Sequence, residues 1–169
     1  VEELSREYLA GIRAQQPHGP YRLLGFSLGG VLAFEIAQQL LAAGETVEQL
    51  VILDSDVPGE DRTSAMKGVL REMRRAFNGA DQDARAMPDY LRAIRDYRPA
   101  RYPGPAIYVE AMRAEHYAPG YSWQDLVPRL TTLRVDADHL ELMSREKATD
   151  LARALRPLLN RNPVAASSA

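Results

Sequence analysis

The segment "YRLLGFSLGGVLAFEIAQQLLAAGETVEQLVILD" (21–54) constrains the fold more than any other part of the chain. An apolar run of strand length, YRLLGF, leads into Ser27, with Gly25 two residues before it and Gly29 two residues after. Leu32, Ile36 and Leu40 then recur every fourth position, which predicts a helix over 28–43 stopped by Gly44. EQLVILD (48–54) is apolar without alternation, the pattern of a strand buried on both faces. Strand, helix and strand in this order make a crossover between two parallel neighbours.

The rest of the chain repeats that alternation. EELSREYLAGIRAQ (2–15) places Leu4, Tyr8, Leu9 and Ile12 at helical spacing, and QPHGP ends the helix. AIYVEAM (106–112) and LTTLRV (130–135) read as a third and a fourth strand, with WQDLV between them as one turn of helix. A last helix spans 144–159, with Leu151, Ala152, Leu155 and Leu159 on one side and Pro157 fraying its end. Residues 57–100 differ in style, with no strand and two apolar stripes. Met66, Val69, Leu70, Met73 and Phe77 make one; Met87, Tyr90, Leu91, Ile94 and Tyr97 make the other. The expected organisation is an α/β core of about four parallel strands from 1–56 and 101–160, a helical lid at 57–100 and a disordered tail at 161–169.

A chain with 26% charged residues and a net charge of −2 carries no electrostatic footprint for nucleic acid and no polybasic membrane patch. The absence of cysteine excludes disulfides, thiolate metal sites and a cysteine nucleophile, and suits a cytoplasmic protein. No apolar run is long enough to span a bilayer.

Parallel sheets bind ligands at the carboxyl ends of their strands. Ser27 follows the first strand, Asp54 the second and His139 the fourth. A serine hydroxyl is a poor nucleophile at neutral pH; it needs a base in hydrogen-bond reach, and the base needs an orienting partner. A tight strand–Ser–helix turn lifts the hydroxyl above the sheet, and small neighbours relieve the crowding there. Gly25 and Gly29 meet that demand and Gly30 extends the room. The helix starting at Leu28 aims its positive end at the site, and the Leu28 N–H is a candidate oxyanion donor. The pattern G-x-S-x-G alone arises by chance in about one chain of this length in twenty. Its weight comes from the order Ser27, Asp54, His139, which is that of α/β-hydrolases. Of the other two histidines, His18 falls in a turn before the first strand and His116 in a loop after the third.

These residues carry a wider resemblance. "GPYRLLGFSLGGVLAFEIAQQLLAAGETVEQLVILDS" (19–55) resembles the central segment of thioesterase domains from nonribosomal peptide synthetases and polyketide synthases. The likeness continues through YPGPAIYVEA, WQDLVPRLTTLRVDADHLELM and the final helix. It implies a partial α/β-hydrolase fold and a serine hydrolase that releases an acyl or peptidyl chain from a carrier protein. The chain would arrive as a phosphopantetheine thioester, with Ser27 as nucleophile, His139 as base and Asp54 orienting it. Water or an internal nucleophile then completes release by hydrolysis or cyclisation. No metal or cofactor of its own is implied, since the phosphopantetheine belongs to the partner. Phe26, Met66, Met73 and Tyr90 are the candidate lining of the acyl chamber.

The resemblance also implies two departures. The family has Gly-Asp before the histidine where this chain has Ala137-Asp138, so φ at 137 must be negative. The family's amino-terminal strands, one of whose loops supplies a second oxyanion N–H, have no counterpart here. The first strand is therefore expected to have an open edge, filled by a missing amino-terminal half or by upstream synthase modules. Rival readings are an editing type II thioesterase, a general carboxylesterase, and a truncated hydrolase that docks a carrier without turnover.

Overall fold

The computed structural model describes residues 1–55, 57, 92–93, 96–113 and 122–160. The expected lid residues Met66, Met73 and Tyr90, the loop histidine His116 and the 161–169 tail lie outside them.

Helix α1 (Glu2–Gln15) precedes strand β1 (Tyr21–Phe26), helix α2 (Leu28–Ala42) and strand β2 (Val47–Leu53). Next among the described residues come strand β3 (Pro105–Ala111), the single-turn helix α3 (Trp123–Leu126) and strand β4 (Arg129–Val135). A 3-10 turn (Glu141–Met143) and helix α4 (Arg145–Leu159) close the chain. The strands form one sheet in the order β1-β2-β3-β4, all parallel. β1 thus occupies an edge, where Leu24 is 57% exposed.

The continuous apolar character of β2 has a direct cause. Leu50 and Ile52 face a core built with α1, α2 and α3, centred on Leu9, Phe34, Ile36, Leu40, Trp123 and Leu126. Val51 and Leu53 face the opposite core, where Leu142, Leu151 and Leu155 pack. Both faces are dry from Leu50 to Leu53, and the polar residues Glu48 and Gln49 stand in the partly exposed first half of the strand. β3 divides in the same way, with Ala106 and Tyr108 on the first side and Ile107 and Val109 on the second.

The helix boundaries follow local chemistry. α2 stops where Gly44 adopts φ 77, and the Gly44 and Glu45 amides donate back to Leu41 and Leu40. α4 is N-capped by Ser144, whose hydroxyl accepts from the Lys147 amide at 3.2 Å. It runs past Pro157 to Leu159, contrary to the fraying expected there. The missing proline N–H costs one helical bond in the final turn, and Leu155 and Leu159 still anchor that turn on the sheet.

Candidate active site

The turn from β1 into α2 is tightly strained. Ser27 has φ 55 and ψ −125, a conformation that side chains rarely adopt. Its N–H donates to the Leu53 carbonyl at 2.9 Å, holding the turn against the end of β2, and its carbonyl accepts from Gly30 at 2.9 Å. Ser27 occupies the N-cap position of α2, yet its hydroxyl makes no capping bond. The residue is half-buried. Leu28 begins the helix, so its N–H is among the first-turn amides that have no acceptor within the helix.

The neighbouring glycines differ in what they do. A Cβ at Gly25 would lie 2.0 Å from the Gly29 carbonyl oxygen and 2.6 Å from the Gly30 nitrogen. A Cβ at Gly30 would lie 2.6 Å from Cβ of Ser55 and 2.7 Å from its Oγ. A Cβ at Gly29 would meet nothing within 4 Å. The steric demand expected at Gly25 and Gly29 therefore falls on Gly25 and Gly30. The second glycine of the G-x-S-x-G pattern borders open space instead.

Asp54 follows β2 and is the other non-glycine residue with positive φ among the described residues, at 40°. Its N–H donates to Val109 at 2.7 Å, so the strained residue is pinned between β2 and β3. It is 4% exposed. One carboxylate oxygen accepts the Ala111 N–H at 2.9 Å, and the other lies 2.7 Å from Nδ1 of His139. An ionised carboxylate only accepts, so the bond takes a proton on Nδ1, and the neutral imidazole that makes it has its lone pair on Nε2.

His139 is 1% exposed. The Phe26 ring stacks on its imidazole, with centroids 4.6 Å apart and planes at 25°. Phe26 immediately precedes Ser27, so the elbow supplies one wall of the histidine's cage. The candidate chamber residue is thus packed on the imidazole. Ala137 lies outside the positive-φ set and is fully buried, so it fills the glycine position without strain. His18 is 88% exposed and 3.5 Å from Glu45, away from this site.

Two contributors are missing from the sequence reading. The Ala111 N–H orients Asp54 through the backbone, which any residue type could supply. Trp123, in the core beside α2, donates from Nε1 to the Ser55 carbonyl at 2.6 Å and so fixes the residue after Asp54. The lone tryptophan beside a Ser122–Asp125 capping box was its only visible sign. Among the described residues no cluster of His, Asp and Glu could hold a metal ion. No helix among them is long and apolar enough to cross a membrane.

The chain matches the family model of the thioesterase domain over residues 1–159. Enterobactin synthase component F of Escherichia coli (strain K12) is 31% identical over 182 residues, covering 95% of this chain and 14% of that protein. Non-reducing polyketide synthase pks27 of Aspergillus flavus is 48% identical over 58 residues, covering 34% of this chain and 3% of the synthase. The chain therefore spans only a small part of the curated relatives it matches. The NocB thioesterase domain, solved as a covalent complex with a fluorophosphonate nocardicin G analog, superimposes with a TM-score of 0.73 at 26% identity. That match covers 94% of this chain and 73% of the NocB chain. On the family match and this structural likeness, the chain belongs to the thioesterase domain family, of the kind found in nonribosomal peptide synthetases and polyketide synthases.

Proposed function

We propose that this domain releases an acyl or peptidyl chain from the phosphopantetheine thioester of a carrier domain through an acyl-enzyme on Ser27. The observation that carries the reading is the buried His139–Asp54 pair, 2.7 Å between Nδ1 and Oδ2, at the same end of the sheet as the strained Ser27 turn. Ser27 Oγ attacks the thioester carbonyl as its proton passes to Nε2 of His139. Asp54 holds the imidazole in the tautomer that can accept this proton and stabilises the imidazolium that forms. The Leu28 N–H, at the positive end of α2, steadies the oxyanion. The tetrahedral adduct collapses, the C–S bond breaks, and His139 returns the proton to the thiolate. Water, or a nucleophile within the acyl chain, then attacks the ester and frees Ser27. The protein needs no cofactor of its own, because the thioester arm belongs to the carrier.

An acyl-N-acetylcysteamine thioester mimics the end of the arm and tests the reading. Thiol release should follow saturation kinetics and fall by about 10³-fold or more in Ser27→Ala. A folded Ser27→Ala variant with the wild-type rate overturns it.

A further inference from the structure

An exposed arginine outside the catalytic set spans the loop that carries His139. Arg113 stands just after β3 and is 49% exposed. Its Nε donates to Oδ1 of Asp136 at 2.9 Å, and its Nη2 donates to the Asp136 carbonyl at 3.3 Å. The same Nη2 donates to Oε2 of Glu141 at 2.5 Å. The Arg113 backbone N–H donates to the Ala137 carbonyl at 3.0 Å. One guanidinium thus grips the loop on both sides of His139.

The loop is also braced within itself. Asp138 Oδ1 accepts the Glu141 N–H at 2.7 Å, and Glu141 Oε2 accepts the Asp138 N–H at 3.2 Å. This reciprocal box encloses His139 in sequence and shares Glu141 Oε2 with Arg113. Lys147 of α4 adds a contact from Nζ to the Asp136 carbonyl at 2.7 Å. The start of this network matters most. Ala111, two residues before Arg113, donates to the carboxylate oxygen of Asp54 that His139 does not use. The exit of β3 therefore fixes the carboxylate with one residue and the imidazole's loop with another.

We propose that Arg113 is a positioning residue: by clamping Asp136 and Glu141 it holds His139 in register with Asp54 from the solvent side of the loop. The rate effect rests on the proposed role of His139, whereas the register itself is a property of the fold. A bidentate, two-carboxylate grip requires the planar guanidinium, which a lysine cannot reproduce.

The test compares Arg113→Ala, Arg113→Lys and Glu141→Gln with the wild-type domain, reading two independent signals. One is the rate of labelling by a fluorophosphonate; the other is the downfield proton resonance of the His139–Asp54 hydrogen bond. Arg113→Ala should label about 10-fold more slowly, since small misplacements of a catalytic group carry costs of this order and above. Its downfield resonance should broaden as the ring leaves Asp54. Glu141→Gln keeps the acceptor for the Asp138 N–H but loses the ion pair, and should move both signals the same way. Arg113→Lys should recover part of each. Arg22→Ala removes an ion pair with Glu48 at the amino-terminal ends of β1 and β2, away from the His139 loop, and should leave both unchanged. Wild-type rate and resonance in a folded Arg113→Ala overturn the proposal, as does a slowed rate with the resonance intact. Labelling of Ser27→Ala at the wild-type rate sinks the nucleophile assignment instead, and leaves the resonance test of the clamp standing.

Discussion

Alanine at position 25 places a methyl carbon where the chain's own backbone already lies. The ideal Cβ falls 2.0 Å from the Gly29 oxygen, 2.3 Å from the Gly29 carbonyl carbon and 2.6 Å from the Gly30 nitrogen. All three obstacles are main-chain atoms, so no side-chain rotation relieves them. The elbow has to open by about 1 Å or more, toward ordinary van der Waals separation. Opening is resisted from both sides. Ser27 N–H is bonded to Leu53, and α2 is anchored by the fully buried Phe34, Ala37 and Leu40. Ordinary overpacking costs about 1–3 kcal/mol, and a rigid backbone obstacle belongs at or above the top of that range. For a domain of this size about 3 kcal/mol corresponds to a fall in Tm of about 6–12 °C. Gly29→Ala is the internal control. It meets nothing within 4 Å and sits in the first turn of α2. Replacing a helical glycine gains up to about 1 kcal/mol, so its Tm should hold or rise by about 2–4 °C. Thermal and urea unfolding followed by circular dichroism give both numbers. Gly25→Ala within about 1 kcal/mol of wild type, or Gly29→Ala as damaging as Gly25→Ala, would refute the steric account of the elbow.

Three further outcomes follow from other parts of the molecule. Ser27→Gly releases the strain of φ 55 and should stabilise the fold by about 1 kcal/mol or more in urea titration, while abolishing thioester turnover. Glu35 is buried on α2 and accepts hydrogen bonds from the Tyr97 hydroxyl and from Gln39 at 2.8 Å. Burial and the Glu35 carboxylate push the Tyr97 hydroxyl pKa up, so it stays a donor, and Tyr97→Phe should cost about 1–3 kcal/mol by chemical denaturation. Glu45 accepts the Gly19 N–H at 3.0 Å, which, with His18 nearby, holds its pKa below the ordinary 4.5. A depressed folded-state value stabilises above the unfolded pKa and is lost as pH falls through the folded one. Stability should therefore drop on acidification below about pH 4.5, with a shallower slope in Glu45→Gln, measured by unfolding at stepped pH.

Strands and helices were legible in the sequence because their apolar patterns answer to two cores, and β2 is the clearest case. The placement of Ser27, Asp54 and His139 beyond the ends of β1, β2 and β4 was legible because parallel strands deliver their carboxyl ends to one rim. The roles of the glycines were not, because a motif records spacing and not which neighbours approach each Cα. Gly30 matters through Ser55, which follows the end of β2 far from it in sequence. The Ala111 amide and the Arg113 clamp were invisible for related reasons. A backbone donor leaves no residue signature, and a guanidinium reaching a loop more than twenty positions away obeys tertiary geometry alone. Pro157 shows the converse, a strong local signal overridden where apolar anchors persist beyond it.

The central claim is that Ser27 is a nucleophile driven by His139. Fluorophosphonate treatment followed by peptide mass mapping measures this directly. The adduct should sit on Ser27 in the wild-type domain, and should form at least about 100-fold more slowly in a folded His139→Ala variant. An adduct on a different residue, or labelling of Ser27 that is indifferent to the loss of His139, contradicts the account.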